Sequence, residues 1–115
     1  MWLIIAIFAV AAVVGLTMAI AAFQGHFPPV PSAILHGALA ATGLVLLLVA
    51  VFVKGAAGPA LWALGFFLVT ALGGFGLALG FHARKKALPK GFVAGHATLA
   101  VIGFLLLLGG ALKLI

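Results

Sequence analysis

Two histidines stand sixty positions apart in closely matching surroundings. The segments His36-Gly37-Ala38-Leu39-Ala40-Ala41-Thr42-Gly43 and His96-Ala97-Thr98-Leu99-Ala100-Val101-Ile102-Gly103 agree at His, Leu, Ala and Gly. Each runs on into a leucine-rich stretch, and each follows a proline, Pro31 or Pro89. An imidazole in an apolar helix is costly unless its nitrogens find partners, and ionisable groups inside a membrane span are usually functional. A repeated histidine at matched depth on two helices is therefore a candidate ligand pair.

The chemistry that uses most of these features is bis-histidine ligation of heme b, with His36 and His96 as the axial ligands. Gly43 and Gly103 lie seven residues beyond them on the same helix faces, about 10.5 Å deeper. That is where the far edge of a macrocycle would need room. The heme propionates would meet His26, His82, Arg84, Lys85 and Lys86, and the chain has no carboxylate to compete for those cations.

The composition says what solvent this chemistry must work in. Of 115 residues, 68% are hydrophobic, and the mean hydropathy is +1.53. A domain this small leaves much of its surface exposed, so lipid must be part of the solvent. The absence of Asp and Glu rules out paired-acid glycosidase chemistry, a Ser-His-Asp triad and a carboxylate site for hard cations. With no cysteine, disulfides and thiolate metal sites are excluded. No nucleophile has an adjacent base, so the chain reads as a carrier or accessory protein and not as an enzyme. The net charge of +6 does not imply nucleic acid, because the cations lie at the ends of apolar runs, where they contact headgroups and set orientation.

The elements that must position the histidines are four transmembrane helices, expected at about 2–23, 33–53, 59–81 and 91–113. Each is long enough to cross a hydrocarbon core. Ser32 is the expected cap of the second helix, while Lys54-Gly55 ends it and Gly58-Pro59 opens the third. The fold class is an all-α membrane protein, an up-down bundle of two tandem hairpins with both termini on one side. The repeat suggests a pseudo-two-fold axis along the membrane normal that relates His36 to His96. On this reading all four histidines lie toward one face, with His36 and His96 some 6–8 Å deep. Arg84, Lys85, Lys86 and Lys90 outweigh Lys54 and Lys113, which places the first and third connections in the cytoplasm of a bacterial inner membrane.

At this point the chain resembles four-helix membrane b-type cytochromes, the cytochrome b561 and bacterial cytochrome b561-like groups. The resemblance covers helices two and four and hardly touches helix one; the chain also looks like small bacterial membrane proteins whose final helix carries Leu-Pro, His-Ala-x-Leu-Ala and Gly, here Leu88-Pro89, His96-Ala97-Thr98-Leu99-Ala100 and Gly103. It implies heme b held by His36 and His96, with Gly43 and Gly103 as clearance. The chain departs from that family in having histidines toward only one face, where the family places hemes on both sides. An electron carrier of this kind would serve as a small subunit of a larger respiratory or photosynthetic complex. It would exchange electrons with other membrane subunits or with quinone, whose headgroup could meet His26, His82 and Gln24.

Three other classes compete with this one. A cofactor-free accessory subunit would use its apolar faces to pack against other membrane helices. A copper or zinc site would need His26 and His82 to swing toward His36 and His96. A pigment-binding protein would hold one chlorophyll magnesium per histidine. Glycines in helix three, including Gly76 and Gly80, read as close-packing residues.

Overall fold

A computed structural model describes residues 1–115. Four helices follow one another: α1 (Trp2–Phe23), α2 (Val30–Phe52), α3 (Pro59–Leu77) and α4 (Lys90–Ala111). A π-helical turn, Ala78–His82, prolongs α3. There are no strands, and each helix is long and apolar enough to cross a membrane. Within hydrocarbon the backbone must satisfy its own polar groups, which favours long uninterrupted helices in such a sequence.

Prolines start the helices. Pro29 and Pro89 stand just before α2 and α4, and Pro59 opens α3 after Gly58 at φ 58°. Proline fits these places because its missing N–H would be unpaired there anyway. Pro31 is accommodated inside the first turn of α2, so that helix begins at Val30, three residues before the expected 33, and Ser32 makes no capping bond. The fourth helix runs from Lys90 to Ala111 instead of 91 to 113, because Lys113 has φ 58° and closes it. At that end the N–H of Leu114 donates to the Gly109 carbonyl at 2.9 Å, a Schellman closure. Gly25 closes α1 in the same way, with His26 N–H on the Ala21 carbonyl at 2.8 Å.

α1 packs beside α2 and α4, and α3 beside α4 and α2. The diagonals of the bundle are therefore α1–α3 and α2–α4. Few residues are buried; large apolar side chains such as Leu3, Val13, Phe52 and Leu72 point outward, as a lipid-facing surface requires. The main core lies in the half of the bundle nearest the termini. It is centred on Leu47, Leu107, Ile4, Ile5, Ala63 and Leu64, with Phe8 stacked on Phe67.

Leu47 and Leu107 are both essentially inaccessible and sit sixty positions apart, as His36 and His96 do. The first and third helices also correspond, at a separation of fifty-nine: Phe8 with Phe67, Ala11 with Thr70, Gly15 with Gly74. The separation becomes sixty again by the end of α3. The bond from Lys86 N–H to the Phe81 carbonyl matches that from His26 N–H to the Ala21 carbonyl. One extra residue therefore lies between Gly74 and Phe81, where the π turn begins. A π turn is how a helix absorbs a single inserted residue without ending.

Candidate functional site

Each inner histidine closes its own hairpin. His36, on α2, donates Nδ1–H to the carbonyl of Ala11 on α1 at 2.8 Å. His96, on α4, does the same to Thr70 on α3 at 3.0 Å. A carbonyl can only accept, so both rings carry their proton on Nδ1. Each of these carbonyls sits in mid-helix and uses its second lone pair for the imidazole.

A glycine one turn further along makes that approach possible. A Cβ on Gly15 would lie 2.8 Å from His36 Cε1, and one on Gly74 would lie 3.1 Å from His96 Cε1. The imidazoles thus lie against bare backbone. Ala11 and Gly15 are the tenth and fourteenth residues of the 22-residue α1, so the rings sit near mid-bundle. That is deeper than the expected 6–8 Å. His36 and His96 each stand six residues past the start of their helices, Val30 and Lys90, or about 9 Å along the axis.

The two rings meet across the α2–α4 diagonal, with centroids 6.2 Å apart and planes at 67°. Nδ1 of each ring is held by a carbonyl, and Nε2 has no protein partner. That is the arrangement in which a ligating histidine's second nitrogen fixes ring orientation and raises basicity. The donor chemistry therefore fits one iron with two neutral nitrogen ligands.

The space at Gly43 and Gly103 is used otherwise. A Cβ at Gly43 would meet Phe8 at 3.0 Å, and one at Gly103 would meet Phe66 and Phe67 at 3.3–3.4 Å. Phe8 and Phe67 stack at 4.0 Å with planes 5° apart. These two glycines give room to phenyl rings, which floor the bundle on the termini side of the histidine pair. In helix three, Gly74 and Gly73 receive His96 and Gly76 receives Phe92, while Gly80 faces open space. The expected Gly76–Gly80 packing pair is therefore only half present.

The outer histidines are not brought to the pair. His82 donates Nε2–H to the Pro28 carbonyl at 2.8 Å and stacks on Phe27 at 4.5 Å. His26 is exposed on the first loop, as are Arg84 and Lys85 on the third. No group of three or more potential metal-ligating side chains forms, so a four-imidazole copper or zinc site is not assembled. Phe8, Phe67, Ala11, Thr70, Gly15 and Gly74 escape a reading of the histidine repeat. The Phe-x6-Gly spacing shared by α1 and α3 is the signal that would have found them.

Comparison with protein families, with curated proteins and with solved structures finds no match to this chain.

Proposed function

We infer that this chain is a membrane-embedded one-electron carrier that holds a b-type heme between His36 and His96. The observation that carries the reading is the paired geometry of the imidazoles. They are 6.2 Å apart, each has Nδ1 tied to a neighbouring carbonyl, and each has Nε2 free. When bound, the heme iron supplies reversible one-electron chemistry, at a potential set by its ligands, its burial and nearby charge.

The chain's own residues do the rest. Ala11 and Thr70 orient the imidazoles, Gly15 and Gly74 let them approach, and Phe8 and Phe67 keep water and lipid out below. The interior offers no carboxylate to offset a net-positive ferric centre, which favours the reduced state. The setting is the bacterial inner membrane, with the first and third connections in the cytoplasm. Electron partners are neighbouring membrane subunits or quinone, with His26 and Gln24 exposed at that end.

One specific observation favours a second reading, a cofactor-free accessory subunit. The Phe8–Phe67 stack fills the bundle centre at the level of Gly43 and Gly103 with protein alone. A visible spectrum of the purified protein, oxidised and then dithionite-reduced, separates the two. A sharp Soret band with split α and β bands on reduction supports the heme. A featureless spectrum with an empty metal analysis transfers the case to the accessory subunit.

A further inference from the structure

The two halves of the molecule repeat each other closely, so their departures are informative. Two of them fall on the same edge of the bundle, between α3 and α4. The first is a groove of about 420 Å³, open sideways and lined by Val69, Leu72, Phe92 and Leu99 with His96 among its walls. Gly73 and Gly95 also line it. The first half carries Val14 and Leu35 at the corresponding positions. Phe92 forms one wall and is seated on Gly76, where a Cβ would lie 3.1 Å from its ring.

The second departure is charge. Gln24, Gly25, His26 and Val30 of the first hairpin correspond to Arg84, Lys85, Lys86 and Lys90 of the second. All four cations are exposed, and the chain contains no acid to pair with them. They stand at the loop end of the same edge. The groove begins two residues into α4 at Phe92 and reaches Leu99, nine residues from Lys90, or about 13 Å deeper along the helix. Cations at headgroup level above an apolar groove match an amphiphile with an anionic head and a hydrocarbon tail. Basic pockets between membrane helices are known to take such headgroups.

We propose that the α3–α4 edge is a binding site for one anionic phospholipid, its phosphate on Arg84, Lys85, Lys86 and Lys90 and one acyl chain in the groove beside His96. The site goes beyond the electron-carrier reading, and its test needs no metal. The full chain in detergent is incubated with equal amounts of phosphatidylglycerol and phosphatidylcholine, and bound lipid is counted by native mass spectrometry. The wild type retains one phosphatidylglycerol in preference to phosphatidylcholine. Replacing Arg84, Lys85 and Lys86 together by Gln, in an exposed loop, weakens phosphatidylglycerol roughly a hundredfold and removes the preference. Gly95→Leu, whose new side chain starts in open space, weakens retention about tenfold by filling the groove. Equal retention of the two lipids by the wild type overturns the proposal. So does unchanged retention in Gly95→Leu, or displacement of the lipid by soluble glycerol phosphate, which would show a headgroup site without a groove.

Discussion

Phe8 lies flat on Phe67, with ring centroids 4.0 Å apart and planes 5° apart, on the diagonal of the bundle that the histidines do not use. α1 and α3 thus meet through phenyl rings, and α2 and α4 meet through imidazoles. Each phenyl ring is held by a glycine on a neighbouring helix, Gly43 or Gly103. The bundle is closed at two successive levels, one apolar and one polar.

The stack is accordingly a principal source of stability. Phe8→Ala or Phe67→Ala should each destabilise the bundle by about 3–5 kcal/mol, the usual cost of deleting a buried aromatic ring. Unfolding by SDS titration in mixed micelles measures it. A loss below about 1 kcal/mol for both variants would show that the stack does not hold the diagonal.

The glycines beside the imidazoles should be intolerant in a graded way. Gly15→Ala places a Cβ 2.8 Å from His36 and Gly74→Ala places one 3.1 Å from His96, whereas Gly65 faces open space. Gly15→Ala should displace its ring and break the bond to Ala11, costing about 1–3 kcal/mol. Gly74→Ala should cost less, and Gly65→Ala should be neutral or slightly stabilising. Imidazole ¹⁵N spectra report whether the protonated Nδ1 of His36 remains hydrogen-bonded.

The histidine half of the site was legible in the sequence because His36 and Gly43 recur at one constant separation, in matching context. Its other half was not. Phe8 and Gly15 recur at fifty-nine positions instead of sixty, and phenylalanine and glycine are common in membrane helices, so their pairing carries little signal without the structure. Helix positions were recoverable from apolar runs bounded by proline and glycine. The early start of α2 was hidden by Pro31, which reads as a loop residue but fits a first turn. The π turn was hidden because an inserted residue changes neither hydropathy nor length by a visible amount.

That turn makes its own prediction. α1 forms the same closure without the extra residue, so deleting Leu79, which is exposed, should convert Ala78–His82 to α-helix while α3 and α4 keep their contacts. The deletion variant should insert and unfold at nearly the wild-type SDS fraction. Loss of insertion would mean that the π turn is required for the fold.

His82 ties the two loops of one face together through Pro28 and Phe27. His82→Ala should cost about 1 kcal/mol, the worth of one hydrogen bond, and should raise amide hydrogen exchange in residues 24–29 while leaving mid-helix amides protected. Uniform loosening of all four helices would instead make His82 part of the global core.

The proposed function requires that His36 and His96 together hold one heme. Its most direct measurement is the heme content and reduced visible spectrum of wild type, His36→Ala and His96→Ala, purified identically and shown to be inserted. The wild type should hold one low-spin b heme per chain, lost as a low-spin species in either variant. Full retention of a low-spin spectrum by either variant, or a wild type with neither heme nor metal, would contradict it.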